Sequence, residues 1–126
     1  MNKVILAIDD NRDFLETLKD ILEHEGYRAV LLTDPTKTEE YIENYSPDLI
    51  ILDIFMPKRT GFNILEDLSD NGMHEDIPKI FLTCLDNHIE KMTARARGAC
   101  EYLTKPFEPE ELIEVIRECL EGQKQR

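Results

Sequence analysis

Five side chains at the ends of short apolar stretches have the chemistry needed to move a phosphoryl group. Asp9 and Asp10 follow "KVILAI", and Asp53 follows "DLIIL". Thr83 ends "PKIFLT", and Lys105 comes directly after "CEYLT". A carboxylate can attack phosphorus and become an aspartyl phosphate, while a hydroxyl and an ammonium group stabilise charge on the phosphoryl oxygens. Each residue type alone is common after a strand, so the prediction depends on the whole set occurring in this order.

Three carboxylates at one site require a positive counter-charge. Two carboxylates about 4 Å apart repel by about 4 kcal/mol at an effective dielectric constant of about 20, and each raises the pKa of the other. Lys105 alone cannot neutralise three acids, whereas a divalent cation with oxygen ligands can. Mg²⁺ typically takes one or two carboxylates, several waters and a phosphate oxygen. The residue set therefore predicts Mg²⁺ beside a phosphoryl group.

An alternation of strand-like and helix-like segments predicts how these side chains come together. The predicted strands are short and apolar, as in a buried parallel sheet, and cover 3–8, 28–33, 47–54, 78–83 and 100–104. The predicted helices have apolar residues on one face and cover 11–26, 34–45, 61–72, 87–98 and 108–122. Asp34 is expected to cap the second helix, and Gly26 to end the first. These units are too few for an eightfold barrel and predict an α/β fold with an open, doubly wound parallel sheet.

The functional site of such a sheet lies at the carboxyl ends of its strands. All five candidate residues stand at or just beyond a strand end, so we expect them at one edge. Asp53 follows the third strand, which is predicted to be central, and is therefore the predicted phosphoryl acceptor. Pro57 is expected to stiffen the following loop, and Gly61 to allow a tight turn into the third helix.

The composition favours one domain and argues against nucleic acid and membranes as partners. The chain has 126 residues, 41% hydrophobic and 33% charged, which is typical of a single globular domain. Its net charge of -12 argues against a basic nucleic-acid surface and agrees with a divalent cation as partner. The first apolar stretch, 4–8, is too short for a signal peptide, and no apolar run approaches the about 20 residues of a membrane helix. The sequence therefore predicts a cytoplasmic location.

The three cysteines, Cys84, Cys100 and Cys119, are odd in number, and their spacing fits no paired metal-binding motif. We expect them to be reduced thiols, mostly buried, since unpaired cysteines behave as small apolar residues.

Two other classes of protein share parts of this pattern. A phosphatase of the haloacid-dehalogenase type also forms an aspartyl phosphate, but it needs a second acid two residues after the nucleophile, where this chain has Phe55. A flavodoxin-like binding protein would share the sheet but needs a phosphate-cradling loop after the first strand. The segment "DDNRD" at that place is acidic and would repel a phosphate in the absence of a metal.

The motifs together resemble the receiver domain of two-component response regulators. The matching pieces are "ILAIDDN" (5–11), "DLIILDIFMPKRTG" (48–61), "IFLT" (80–83) and "GACEYLTKPF" (98–107). The resemblance extends from about residue 3 to 121. It implies a flavodoxin-like (βα)5 sandwich with a five-stranded parallel sheet in the order 2-1-3-4-5. It also implies a receiver domain over 1–122, with 123–126 as a short polar tail.

The resemblance assigns a role to each site residue. It implies that Asp53 is phosphorylated, with Thr83 and Lys105 contacting the phosphoryl group. It implies that Asp10 binds Mg²⁺ directly, that Asp9 acts mainly through water, and that Asp53 and the backbone carbonyl of Phe55 complete the protein ligands. It further implies that Tyr102 changes rotamer when Thr83 moves toward the phosphoryl group. Pro106 would follow a cis peptide bond that directs Lys105 into the site.

The implied activity is signalling. Asp53 would take its phosphoryl group from a histidine kinase or a histidine phosphotransfer protein, and the domain would act on an effector protein or on a second copy of itself. The responsive face would comprise the predicted fourth helix, the fifth strand and the last helix, with His88, Lys91, Met92, Arg95, Tyr102 and Glu108 on it. The sequence departs from the family at Cys84, which follows the switch threonine, and has apolar Phe55 and Leu85 beside the site. We expect slow self-dephosphorylation, because neither the Phe55 nor the Leu85 side chain can position an attacking water.

Overall fold

In a computed structural model, the described residues are 2–70, 74, 76–84, 92 and 99–124. Five strands form one parallel sheet, β1 (Val4–Ile8), β2 (Arg28–Leu32), β3 (Leu49–Leu52), β4 (Lys79–Thr83) and β5 (Glu101–Thr104). Their order is β2-β1-β3-β4-β5. The helices are α1 (Arg12–His24), α2 (Thr38–Tyr45), α3 (Gly61–Asp70) and a last helix (Pro109–Lys124), with a 3-10 turn at Pro35–Lys37. The predicted α/β class and strand order are confirmed.

Alternate residues of the strands enter two separate apolar cores, one on each face of the sheet. In β1, Leu6 and Ile8 pack with α2 and α3, whereas Ile5 and Ala7 pack with α1 and the last helix. All four residues of β3 are buried, as expected for a central strand covered on both faces. Each fully buried side chain of this size contributes about 1.5–3 kcal/mol, so the two cores hold the strand ends in fixed positions.

The ends of the first two helical segments follow the predicted signals. Gly26 has φ 90°, the left-handed conformation that ends the segment after α1. The Asp34 carboxylate accepts the Thr36 amide at 3.0 Å, so Asp34 is a cap. The segment it caps begins as a 3-10 turn, and α2 starts only at Thr38.

The prediction that all cysteines are reduced and mostly buried is wrong. Cys100 and Cys119 form a disulfide with a Cα–Cα distance of 6.3 Å, and Cys84 is an exposed free thiol. Cys100 precedes β5 and Cys119 lies on the inward face of the last helix, which packs beside that strand. The pairing follows from this tertiary contact, which sequence spacing does not show.

The predicted fourth helix, 87–98, lies almost wholly outside the described residues; within it, the structure describes only Met92. Among the described residues, no helix has the length and apolar character needed to cross a membrane.

Candidate functional site

The strand ends bring the predicted site residues to one edge of the sheet. The amide of Asp53 donates to the Ile8 carbonyl at 3.1 Å, which places Asp53 beside the end of β1 and next to Asp9. The amide of Lys105 donates to the Thr83 carbonyl at 2.8 Å, which extends the pairing of β4 and β5. The expected meeting of these residues at the carboxyl edge is therefore observed.

The three acids form one cluster. Carboxylate oxygens of Asp9, Asp10 and Asp53 all lie within 4.8 Å of one another. Asp9 is buried, Asp53 is half-buried and Asp10 is exposed, so the cluster opens to solvent on the Asp10 side. One Asp9 oxygen accepts the Asn11 amide at 2.9 Å, which fixes the orientation of the buried carboxylate.

Lys105 supplies a positive charge inside this cluster. Its ammonium donates to an Asp9 oxygen at 2.7 Å and lies 3.7 Å from an Asp53 oxygen. The Lys105 side chain is only 15% exposed, so the ion pair is shielded from much of the screening that weakens surface pairs. In this arrangement Lys105 is bonded to Asp9 and is near Asp53.

The single charge of Lys105 does not neutralise three carboxylates. The pKa of Asp10 is shifted as a result of burial and of the neighbouring negative charges. Partial desolvation at the rim, followed by the negative charge of Asp9, raises the pKa of Asp10 above its ordinary value. A hydrogen bond with Asp9 and the charge of Asp53 act in the same direction. A cation held between the carboxylates would offset the part of this rise that comes from the charges of Asp9 and Asp53.

The loop after β3 turns sharply around Asp53. The amide of Phe55 donates to an Asp53 oxygen at 3.4 Å. Further along, the Arg59 amide donates to the Pro57 carbonyl at 2.8 Å, and the residue between them, Lys58, has φ 72°. A hydrogen bond across three residues with a positive central φ is the classical γ-turn, which is rare for a residue with a side chain.

Gly61 begins α3 at a point where no side chain fits. An added Cβ would collide with the Asp53 carbonyl oxygen and with the Phe81 ring. The Gly61 amide donates to the Ile54 carbonyl at 2.9 Å, so the two backbone segments are in direct contact. Glycine is therefore required at position 61 because any side chain would clash with the neighbouring backbone and ring.

Arg59 braces the same loop from the outside. Its guanidinium donates two hydrogen bonds of 2.7 Å to Glu39 on α2, one of 2.8 Å to Asp67 on α3 and one of 3.1 Å to the Pro35 carbonyl. These hydrogen bonds hold the pKa of Glu39 below its ordinary value, and the bond to Glu39 in turn raises the pKa of Arg59. The bidentate pair with Glu39 and the single bond to Asp67 link the loop after β3 to α2 and α3.

Comparison with known proteins identifies the family. The model of the response regulator receiver domain matches residues 5–117. The chain belongs to this family. It is 36% identical over 116 residues to the response regulator MprA of Mycobacterium leprae, covering 92% of this chain and 50% of MprA. It is 35% identical over 113 residues to the transcriptional regulatory protein DltR of Streptococcus agalactiae, covering 90% of this chain and 50% of DltR.

Solved structures agree with this assignment. A CheY-like receiver domain protein from Methanospirillum hungatei superimposes with a TM-score of 0.90 at 30% identity and covers 99% of this chain and 98% of its own. Receiver domains are the phosphoacceptor modules of two-component signalling, and they bind Mg²⁺ at an acidic pocket. The receiver domain described here spans about half the length of the curated relatives that it matches.

Three further predicted residues have defined positions in the receiver domain. Thr83 is buried at the end of β4. The peptide bond between Lys105 and Pro106 is cis, the isomer that the resemblance implies. Tyr102 is buried and packs edge-on against Phe81, with ring centroids 6.4 Å apart. Its ring lies in the core on the α3 side of the sheet, and its place on the responsive face stays a prediction.

Other predicted residues of the responsive face are described only in part. Met92 and Glu108 are exposed. His88, Lys91 and Arg95 lie outside the described residues, as does Leu85, which was expected to flank the site.

The donor set fits Mg²⁺. The Asp9, Asp10 and Asp53 oxygens are hard anionic donors close enough to share one ion. Burial, and after it the charges of Asp9 and Asp53, raise the pKa of Asp10, and such an ion would offset the part that these charges cause. The exposed side of the cluster leaves room for the waters that Mg²⁺ retains.

The sequence interpretation missed two residues that shape the site. Asn11 orients Asp9 through its amide, and its side chain accepts the Phe14 amide at 3.1 Å as the cap of α1. An Asn just before an apolar-periodic segment is a recognised start signal, so this role could have been found. Arg59 carries no comparable signal, because its partners are 8 to 24 residues distant in sequence.

Proposed function

We propose that this receiver domain accepts a phosphoryl group on Asp53 and changes its binding surface in response. The observation that supports the proposal is the cluster of three carboxylates within 4.8 Å, with the ammonium of Lys105 between Asp9 and Asp53. The donor would be a phosphohistidine on a histidine kinase or on a histidine phosphotransfer protein. The proposed domain covers 1–122, with a short tail at 123–126.

The transfer conserves atoms and charge. A lone pair of an Asp53 carboxylate oxygen forms the new oxygen–phosphorus bond while the phosphorus–nitrogen bond of the donor breaks. The imidazole leaves with the electron pair of that bond and takes up a proton. Asp53 suits this role because its second oxygen accepts the Phe55 amide, which keeps the carboxylate oriented.

Mg²⁺ would be held by Asp10 and Asp53 directly, by the Phe55 carbonyl, and by Asp9 mainly through water. When bound, the ion supplies positive charge for the phosphoryl oxygens. Asp9, buried and fixed by Asn11, would orient the water between itself and the ion. Asp10, on the open side of the cluster, would be the carboxylate that meets the ion first.

Lys105 and Thr83 would bind the transferred group. Lys105 would exchange its hydrogen bond with Asp9 for one with a phosphoryl oxygen on Asp53, from which it is already only 3.7 Å away. Thr83 would donate its hydroxyl to a second phosphoryl oxygen. As Thr83 moves, Tyr102 would fill the space that Thr83 vacates, and this change would shift the population toward the active surface.

The proposed output surface comprises the predicted fourth helix, β5 and the last helix. It would bind an effector protein or a second copy of the domain. The proposed location is the cytoplasm. We propose no direct contact with nucleic acid or membranes.

The phosphorylated form should persist. The side chain of Phe55 is 57% exposed beside Asp53 and has no group that could orient an attacking water. With apolar Leu85 as its counterpart, we propose slow self-dephosphorylation. A lifetime of only seconds with Mg²⁺ present would contradict this.

The deciding experiment is phosphorylation by a small donor. The protein would be incubated with acetyl phosphate and Mg²⁺, or with beryllofluoride, and examined by intact mass and by NMR spectra. We expect a mass gain of one phosphoryl group and spectral changes near the site, both absent in Asp53→Ala and without Mg²⁺. Equal labelling of Asp53→Ala would overturn the assignment of Asp53, and steady release of phosphate from small phosphoesters would favour an enzyme instead.

A further inference from the structure

An aromatic ring lies against the ammonium of Lys105. Lys105 Nζ is 3.8 Å from the centroid of the Phe14 ring, well inside the about 6 Å within which a cation is attracted to a ring face. The same nitrogen is bonded to Asp9 at 2.7 Å. The ammonium therefore has an anion and an aromatic ring as simultaneous neighbours.

The position of Phe14 is fixed by groups of the site itself. The Phe14 amide donates to the Asn11 side chain, and the Asn11 amide donates to Asp9. Asp9 accepts the ammonium of Lys105, which lies over Phe14. The four residues thus form a closed circuit of contacts around the carboxyl end of β1.

A second ring supports Phe14 from the side of β5. The Phe107 ring stands edge-on to Phe14 at 6.3 Å between centroids and an interplanar angle of 85°. Phe107 is two residues beyond Lys105 in the chain, and both rings are half-buried. The face presented to Lys105 is therefore held in place by α1 and by the segment after β5, and partial burial strengthens the attraction.

We propose that Phe14 is a positioning residue that keeps the Lys105 ammonium at the site when Lys105 gives up its bond to Asp9. The inference rests on the proposed function, in which a cation and a phosphoryl group occupy the acidic cluster. A cation at Asp9 competes with Lys105 for the same carboxylate. The Phe14 ring gives the ammonium a second, uncharged neighbour, so that it stays within reach of the oxygens on Asp53 instead of extending into solvent.

Two substitutions of Phe14 distinguish the loss of the aromatic ring from the loss of apolar packing. Phe14→Leu keeps an apolar side chain but removes the ring, while Phe14→Tyr keeps the ring. Each change would be made with Lys105 present and in a Lys105→Met background, which gives a double-mutant cycle. Tyr45→Leu is the matched control, because Tyr45 also has a cationic neighbour, with Arg28 Cζ at 5.8 Å from its ring, but lies at the opposite end of the sheet from Asp53.

The measured quantity is the dissociation constant for beryllofluoride at saturating Mg²⁺, followed by NMR. A ring–ammonium contact of ordinary strength predicts that Phe14→Leu weakens binding by about 5- to 30-fold. We expect no further loss from Phe14→Leu in the Lys105→Met background, near wild-type binding in Phe14→Tyr and no change in Tyr45→Leu. If Phe14→Leu weakened beryllofluoride binding equally with Lys105 present and in the Lys105→Met background, its role would be purely structural and the proposal would be overturned. Wild-type binding in Phe14→Leu would overturn it as well.

A second measurement does not depend on phosphoryl chemistry or on a variant that folds. The ε-methylene protons of Lys105 in the wild-type protein, without Mg²⁺ or donor, should resonate upfield because of the Phe14 ring current. An ordinary lysine shift there would overturn the proposal. If the shift is present but the protein takes neither a phosphoryl group nor beryllofluoride, the proposed function fails while the ring–ammonium contact stands.

Discussion

The ammonium of Lys105 lies 2.7 Å from a carboxylate oxygen of Asp9, 96 positions earlier in the chain. This bond joins the ends of β1 and β5, which are separated in the sheet by β3 and β4. It also means that Asp9 is already neutralised by an internal cation. Binding of any metal at the cluster must therefore take place against the charge of Lys105.

Removal of that charge should tighten Mg²⁺ binding. Lys105→Met leaves the three carboxylates without their internal cation, and loss of one charge a few ångströms away predicts an affinity about 3- to 10-fold higher. Isothermal titration with Mg²⁺ measures the change. The control is Lys3→Met, whose ammonium lies 4.0 Å from an Asp48 oxygen in an exposed pair. Unchanged or weaker Mg²⁺ binding in Lys105→Met would show that Lys105 does not compete at the site.

The pair of Arg59 and Glu39 should make stability depend on pH in the acidic range. Hydrogen bonds from Arg59 lower the folded-state pKa of Glu39 from its ordinary value of 4.5, so the folded protein binds the proton less readily than the unfolded chain. The pair therefore stabilises the fold above a pH of about 4.5, and this contribution is lost as the pH falls through the lower folded pKa. Urea unfolding of the wild type and of Glu39→Gln at successively lower pH should show a difference that shrinks with acid.

At neutral pH, Arg59→Ala should lower the free energy of unfolding by about 1–3 kcal/mol, because it leaves the Pro35 carbonyl and two carboxylates without their donor. Arg12→Ala is the control, since the partner of Arg12 among the described residues is exposed Glu16, at 3.4 Å on the same helix. A loss in Arg59→Ala no larger than that of Arg12→Ala would contradict a bracing role.

The contribution of the γ-turn at Lys58 to stability should depend on how readily the residue at this position adopts a positive φ. Lys58 has φ 72° and is exposed, so its side chain has a conformational cost that glycine avoids. Lys58→Gly is expected to raise stability by up to about 1 kcal/mol, whereas Lys58→Val should lower it by more than that. Denaturant unfolding measures both. An equal effect of the two substitutions would argue against this turn in solution.

The Cys100–Cys119 pair should add stability only when oxidised. Its sequence separation of 19 predicts a contribution of about 3 kcal/mol from restriction of the unfolded chain. Oxidised protein should show one titratable thiol, from Cys84, and reduced, unfolded protein should show all three. In Cys100→Ser the stability should no longer depend on oxidation. Three reactive thiols in denatured protein after complete air oxidation would contradict the pairing.

The alternation of apolar strands and amphipathic helices was enough to predict the parallel sheet, and the polar residues after the strands were enough to predict the edge where the acids meet. Asp9, Asp53 and Lys105 could be placed because each follows a short apolar strand, and parallel strands end at the same edge. The prediction needed no knowledge of side-chain direction.

The remaining features depend on contacts between segments that are distant in the chain. The pairing of Cys100 with Cys119 requires the last helix to pack beside β5, and the bracing by Arg59 requires α2 and α3 to flank one loop. The burial of Tyr102 depends on the position of the Phe81 ring in the core. No local spacing records these distances, so the sequence pattern predicted thiols at Cys100 and Cys119, where the structure has a bond.

Gly61 sets a limit on how the sequence of this domain can vary. A single added carbon there would press at once on the backbone of the proposed acceptor and on an aromatic ring of the core. Chain variants that change this position would lose the geometry of the chemical site and the packing of the interior together. In a saturation library selected for signalling, glycine should be the one residue recovered at this position.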